Sequence, residues 1–219
     1  MIEVCDDPTS AVTKDMIKAQ GKIFFAAGFE TTSNCLTTLC LNLARNPDIQ
    51  EKIHEEVLEC LANNEKIDHE SIKEMNFLEA AINENLRMYP PIIVQERICK
   101  KDTQVKPGLK ITKGTYVRIP IFACHHNPDF FPEPEKFKPE RFLKENAKDL
   151  VPYTFVAFSG GPRICLGLRF AMIEIKVCMA MLIHKFKIKT CPQTDLKFVP
   201  GDMFLLNFKE LFLILEPRT

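Results

Sequence analysis

The chain has 219 residues, 46% hydrophobic and 26% charged, which is enough for one sizeable domain with a real core and excludes disorder as the default. Twenty-nine basic residues balance twenty-nine acidic ones, so no net field draws the chain to nucleic acid or to an anionic membrane. The start, Met1-Ile-Glu-Val-Cys-Asp-Asp, is acidic where a signal peptide is basic, and no apolar run approaches the roughly 18 residues of a membrane span; as it stands the chain reads as soluble or peripheral.

Residues 13–45 carry a helical pattern, with Thr13 as N-cap and Ile17, Phe24, Phe25, Leu36, Leu39 and Leu43 as apolar positions. Gly28 lies in the middle, where glycine costs about 1 kcal/mol against alanine, so close approach of something to the backbone is expected there. Asn46-Pro47 restarts a helix that runs to about residue 63, with Lys52, Glu55, Glu56 and Glu59 as its solvated face. A third helix spans 76–88, with Asn76 and Glu79 spaced as a capping box, and stops before Tyr89-Pro90-Pro91.

Turn signals at Lys106-Pro107-Gly108 and Lys113-Gly114-Thr115 then separate short runs at 109–111 and 116–121, predicting a small antiparallel sheet. Prolines and charges dominate 125–152, a long loop with one helical turn at 139–142, and long loops in compact domains are usually functional. His125-His126 reads as part of a turn. After Gly160-Gly161-Pro162 and Gly167, residues 168–185 form a last apolar helix, and 186–188, 197–199, 204–206 and 211–215 read as short strands. The nine scattered cysteines hold no Cys-x-x-Cys pair, so buried, reduced thiols are expected rather than a disulfide framework or zinc ribbon. Neither His54-Glu55 nor His69-Glu70 has the second histidine of a zinc-protease helix, and there is no Gly-x-Ser-x-Gly elbow or phosphate loop.

Three constellations carry chemistry. In Phe158-Ser159-Gly160-Gly161-Pro162-Arg163-Ile164-Cys165-Leu166-Gly167, glycines flank a cysteine just ahead of a helix. Backbone N–H groups aimed at the sulfur, the helix N-terminus and Arg163 would favour thiolate, the form that binds metal. In Glu84-Asn85-Leu86-Arg87 an acid and a base stand three apart on one helical face, which taken alone reads as an exposed ion pair worth about 0.2–0.5 kcal/mol. In Ala27-Gly28-Phe29-Glu30-Thr31-Thr32 a charge and hydroxyls interrupt an apolar stretch; taken alone, Glu30 faces solvent and Thr31 bonds back to the preceding turn.

The pattern Phe-x-x-Gly-x-Arg-x-Cys-x-Gly, filled by Phe158, Gly161, Arg163, Cys165 and Gly167, resembles the haem-binding loop of the cytochrome P450 family. The Glu-x-x-Arg helix and Pro139-Glu140-Arg141-Phe142 resemble the family's structural lock, and the Ala27–Thr32 segment resembles its oxygen-binding groove. The match runs from about Met16 to the C-terminus, and its wording is most similar to microsomal animal members. The implied fold is mainly α with small β-sheets: the C-terminal portion of the cytochrome P450 fold, with oxygen-groove helix, Glu-x-x-Arg helix, cysteine loop and final helix.

The resemblance implies a haem b cofactor with Cys165 as its iron ligand and Phe158, Gly161, Gly167 and Ala27 around it. It implies that Arg163 and Arg97 pair with the propionates; for Arg97 an edge-strand ion pair is the rival reading. Thr31 and Glu30, with water, would deliver protons to bound oxygen, and Glu84, Arg87 and Arg141 would have a structural role. Ile92, Ile93, Val94, Met203 and Phe204 fall where the family lines its substrate pocket, although plain packing would suit them equally.

The implied activity is mono-oxygenation of a lipophilic small molecule by O₂, the thiolate favouring O–O cleavage. Electrons would come from NADPH through a flavoprotein reductase, cytochrome P450 reductase, docking where Arg163, Arg169 and Lys176 form a local basic patch. The implied location is the cytosolic face of the endoplasmic reticulum membrane. Family members are longer, so residues 1–219 read as one truncated domain lacking the N-terminal half and its membrane anchor. The chain also lacks tryptophan, and with it the family's usual tryptophan beside a propionate. A truncated, inactive fragment that binds haem or acts only as an interaction module is the competing expectation.

Overall fold

A computed structural model of the chain describes residues 11–64, 66–199 and 204–218, with nothing described of the Ala147 side chain. Helix α1 (Lys14–Arg45) begins as expected, the Thr13 hydroxyl accepting the Met16 N–H at 3.2 Å. Its buried residues all lie in its second half, among them Cys35, Leu39 and Leu43. The expected inward positions Phe24 and Phe25 face outward instead, Phe25 at 83% exposure, because no described element packs against the first half.

Helix α2 (Pro47–Asn64) buries Ile49, Ile53, Val57 and Cys60, a stripe at helical spacing. Lys52, Glu55 and Glu59 are exposed as expected, but Glu56 is not part of a solvated face. Its two carboxylate oxygens accept the backbone N–H groups of Phe77 and Leu78 at 2.7 and 2.8 Å, capping α3 (Asn76–Met88) from a different helix. The expected capping box at Asn76 and Glu79 is therefore not formed: Met75 is the N-cap residue and Glu79 pairs with Lys176. A neighbouring carboxylate satisfies the orphan N–H groups that the local residues would otherwise have to meet.

Strands β1 (Gln95–Ile98) and β4 (Tyr116–Ile119) pair antiparallel, and the hairpin β2 (Thr103–Lys106) and β3 (Leu109–Ile111) lies between them in sequence. The hairpin turns on Pro107-Gly108, with Gly108 at φ +80°, a conformation that favours glycine. Strand β4 stops short of Ile121 because Pro120 has no N–H for a ladder; a short helix α4 (Ile121–His125) follows. The expected turn at Pro139–Phe142 is a 3₁₀ turn, and α5 (Leu168–Lys185) has the expected bounds. Strand β5 (Phe186–Thr190) pairs with β6 (Leu213–Pro217). The expected strands at 197–199 and 204–206 are only single bridges, Phe198 to Phe208 and Ile92 to Leu205.

The core lies where the second half of α1 meets α2, α3 and α5, built on Leu39, Ile53, Ile82, Met179 and Ile183, all without solvent exposure. Of the eight described cysteines only Cys35 and Cys60 are buried, fewer than expected, and all eight are free thiols. Desolvation pushes the thiols of buried Cys35 and partly covered Cys40 up to about 12, so neither is a nucleophile near neutral pH. No helix of the described residues is long and apolar enough to cross a membrane.

Glu56→Ala should lower stability by about 1–2 kcal/mol, the range for losing a helix cap, read as a lower urea midpoint at unchanged slope; an unaltered midpoint would show that water caps α3 equally well.

Candidate active site

The segment before α5 is bent by three residues in the left-handed region: Tyr153 (φ 65°), Ser159 (φ 66°) and Gly161 (φ 67°). At Gly161 glycine meets that demand at no steric cost; at Ser159 the strain is held by hydrogen bonds. The Ser159 backbone N–H donates to Val156 O at 2.9 Å, and its hydroxyl lies 3.2 Å from Gln95 Oε1. A 3₁₀ turn over Gly161–Arg163 closes with the Ile164 N–H on Gly161 O at 3.1 Å, and the Cys165 N–H donates to Phe158 O at 2.8 Å. This ties both ends of the loop and leaves Cys165 exposed at the head of α5. A Cβ built at Gly167 would stand 4.0 Å from the Cys165 sulfur, ordinary contact distance.

Cys165, Arg163 and Phe158 form one wall of a cleft of about 380 Å³. Ala27, Glu30 and Thr31 of α1 form the facing wall, and Leu86, Ile175 and Ile92 are among its apolar lining. The Thr31 hydroxyl donates to Ala27 O at 2.6 Å, the bond back to the preceding turn that its position allowed. Beyond the helix's own turns, no described atom comes within 4 Å of a Cβ built at Gly28, so the close approach expected there is not made by the described residues. Gly161 and Gly167 shape the loop rather than line the cleft.

The remaining sequence candidates sit around this cleft. Ile92 lines it, and so does Leu205, which sequence reasoning missed; the two are bridged as a rudimentary strand pair. The Ile93 N–H donates to Phe204 O at 2.9 Å, and Ile93, Val94 and Phe204 lie outside the lining. Met203 falls outside the described residues. Arg97 stands on β1 with one guanidinium nitrogen 3.5 Å from Ser159 Oγ, next to the loop but not in the cleft wall. The rival ion pair on that strand belongs to its neighbour, Glu96 with Arg118 at 2.7 Å.

Glu84 and Arg87 have no solvent exposure, which removes the reading as a surface pair. Arg87 grips Glu84 through Nε at 2.8 Å and NH2 at 2.9 Å, and donates to His125 O at 2.9 Å and Pro134 O at 2.7 Å. Glu84 accepts the Lys138 N–H at 2.9 Å and lies 3.4 Å from Arg141 Nε, so the 3₁₀ turn at 139–142 is pinned to α3. Arg141 also donates to Glu133 O at 3.1 Å. The expected structural trio is assembled, with backbone of the long loop as its further partner.

His125 is not in a turn: it ends α4 and is fully buried. Its only hint in sequence is an apolar run that stops on it. Its Nε2 accepts the Val156 N–H at 3.0 Å, while Nδ1 makes no well-aligned hydrogen bond among the described residues. Burial, reinforced by the charges of Arg87 and His126, holds this imidazole down at about 4, so it is neutral at physiological pH. Lys176 is also misplaced by sequence reasoning. It is buried, donates to Ile72 O at 3.2 Å and pairs with Glu79, so it adds nothing to a surface patch; Arg163 and Arg169 are exposed.

The family model described as Cytochrome P450 matches residues 3–215. The chain belongs to the cytochrome P450 family. Among curated relatives it is 40% identical to cytochrome P450 3A29 of Sus scrofa over 87% of its own length and 38% of that protein. It is 42% identical to cytochrome P450 3A11 of Mus musculus, over 92% of this chain and 40% of that protein. Cytochrome P450 3A19 of Capra hircus aegagrus is 40% identical over 81% of each. The chain thus spans about 40% of the length of most of the relatives it matches. The mainly helical architecture with small antiparallel sheets is that of the cytochrome P450 fold over the matched residues.

Glu84→Ala leaves the Arg87 charge buried without its partner and should destabilise the fold by about 3–5 kcal/mol. Denaturant unfolding checks it, and a loss below 1 kcal/mol would mean that the backbone carbonyls alone hold Arg87.

Proposed function

We propose that this chain is the cysteine-loop part of a haem-thiolate mono-oxygenase that inserts one atom of O₂ into a lipophilic small molecule. The observation that carries it is an exposed cysteine sulfur across an apolar-lined cleft from a helix bearing a hydroxyl and a carboxylate. Among the described residues no three His, Cys, Asp or Glu side chains gather as metal ligands. A metal at Cys165 would therefore have fewer than three protein ligands among the described residues, which fits iron carried in by a porphyrin better than a zinc site. Bound haem supplies the iron centre at which O₂ is reduced, using electrons from NADPH passed through a flavoprotein reductase.

The chain's own residues hold and orient. Cys165 as thiolate would hold the iron, with Phe158, Gly161 and Gly167 shaping the loop that presents it and Ala27 across the cleft. Arg163, in the cleft wall, would meet one propionate and Arg97, beside Ser159, the other. Thr31 and Glu30 stand where protons must enter the cleft. In its resting position Thr31 donates to Ala27 O, so delivery requires the hydroxyl to leave that carbonyl and turn toward the cleft, with water linking it to Glu30. Ile92 faces the substrate, with Ile93, Val94 and Phe204 beside it outside the lining; Met203, which lies outside the described residues, is kept as a substrate-pocket residue on the family resemblance alone. Arg163 and Arg169 offer the reductase a small cationic surface.

Residues 1–219 form one domain that is the C-terminal part of a longer protein, and that protein works on the cytosolic face of the endoplasmic reticulum membrane. The outward-facing Phe24, Phe25 and Phe29 of α1 support this extent, since the remaining fold would cover them. The same exposed residues support a second reading, a fragment that binds haem or a partner without turnover. Product formation with reductase and NADPH separates the two.

Cys165→Ala should remove the thiolate signature from the reduced carbon-monoxide spectrum while α-helical content stays unchanged; a spectrum matching the unsubstituted protein would exclude Cys165 as ligand. Thr31→Ala in the complete protein should raise peroxide release per NADPH and lower the rate of product formation by roughly a hundredfold, the low end of what a positioned proton donor contributes. Unchanged coupling removes Thr31 from proton delivery.

A further inference from the structure

We infer that His125 is a positioning residue that ties the buried Glu84–Arg87 pair to the segment presenting Cys165. The inference rests on the haem-thiolate reading of that cysteine. Its two hydrogen-bonded ends point at different parts of the fold. The His125 carbonyl accepts Arg87 NH1 at 2.9 Å, and the imidazole Nε2 accepts the Val156 N–H at 3.0 Å. Val156 O in turn accepts the Ser159 N–H at 2.9 Å, and Phe158 O accepts the Cys165 N–H at 2.8 Å. One residue therefore links α3, through its backbone carbonyl, to the strained turn on which the cysteine sits, through its ring.

The chemistry of the ring supports a fixed role. An Nε2 that accepts from a backbone N–H carries no proton, so the proton of the neutral ring is on Nδ1. Nδ1 is buried and makes no well-aligned hydrogen bond, although the backbone of Arg87 and Leu86 lies close enough to favour its proton. An apolar side chain of similar size would fill the same space. What an apolar side chain lacks is the acceptor for Val156. The ring is also locked in orientation, stacked on Phe155 with centroids 5.2 Å apart and edge-on to Phe131, whose own face carries the Arg87 guanidinium at 5.4 Å. Protonation would replace the acceptor by a donor. Burial and the facing charges of Arg87 and His126 hold the ring neutral at about 4 and above, so the acceptor persists across the physiological range.

The test compares His125→Leu, which fills the space without an acceptor, with His125→Gln, whose amide oxygen can take the Val156 N–H, in the haem-loaded protein. Amide hydrogen exchange is read at Val156, Ser159 and Cys165 and at the core residues Ile53 and Ile183, and the reduced carbon-monoxide spectrum is read beside it. The Leu variant should exchange about tenfold faster at the three loop amides, with the core amides unchanged, and should show a smaller thiolate-ligated fraction. The Gln variant should restore both. Unaltered exchange at the loop, an equal rise in loop and core, or a thiolate fraction that is the same in all three proteins would each overturn the inference. If the unsubstituted protein itself shows no thiolate signature, the haem-thiolate reading falls, and the loop exchange still decides whether His125 positions the segment.

Discussion

A carboxylate and a guanidinium held entirely away from solvent set the terms for this fold. Removing two charges from water costs several kcal/mol each by rough measure, and the attraction between them offsets that only when geometry is good and every remaining donor and acceptor is met. Glu84 and Arg87 satisfy both conditions, but only by drawing in backbone from far along the chain: the carbonyls of His125 and Pro134 and the N–H of Lys138. An extended loop rich in proline and charge has little core of its own. It acquires a fixed course because the pair on α3 has polar valences that nothing else can fill.

The same logic extends to the cysteine. Its loop is short, bent through left-handed residues and largely exposed, and burial alone would not fix it. Order reaches it through hydrogen bonds on three sides. Gln95 on β1 reaches the Ser159 hydroxyl, His125 reaches Val156, and the loop's own Phe158 carbonyl reaches the Cys165 N–H. A second polar link joins the opposite wall. Asn85, inside the Glu-x-x-Arg motif, donates to Cys35 O and Thr38 Oγ1 of α1 at 3.1 Å each, and its oxygen accepts from Asn42 at 2.9 Å. Helix α3 thus registers both walls of the cleft from one short sequence.

Much of this was legible in the residues because it is local. The helices over 14–45 and 168–185, the Thr13 cap and the 139–142 turn follow from periodicity and capping chemistry confined to a few neighbours. The motifs of the cleft were legible for a different reason, through their resemblance to a family; taken alone, Glu84 and Arg87 read as a surface pair, which their burial overturns. What sequence reasoning missed depends on partners distant along the chain. Glu56 looks like a solvated residue until α3 places two bare N–H groups above it. Lys176 looks like part of a cationic surface until Glu79 and the Ile72 carbonyl close over it. Gln50, fully buried, donates to both Leu43 O and Ile188 O while accepting the Ile188 N–H at 2.7 Å, a bridge that no local pattern announces. Composition sees polar residues there and places them outside.

Helix α1 divides into two regimes that bear on how the cleft works. Its second half is fixed by the core, with Leu39 and Leu43 at no exposure, whereas Phe25 and Phe29 in its first half are more than three-quarters exposed. Ala27, Glu30 and Thr31 sit at the boundary between them. One end of the wall facing the cysteine is therefore held by close packing and the other only by the helix's own hydrogen bonds. A bare apolar helix surface of this kind binds whatever apolar partner covers it, and covering it would stiffen the helix on its free side. A partner that packed on Phe25 and Phe29 would therefore bear on the position of the Thr31 hydroxyl relative to the cysteine, jointly with the core that holds the other end of the helix.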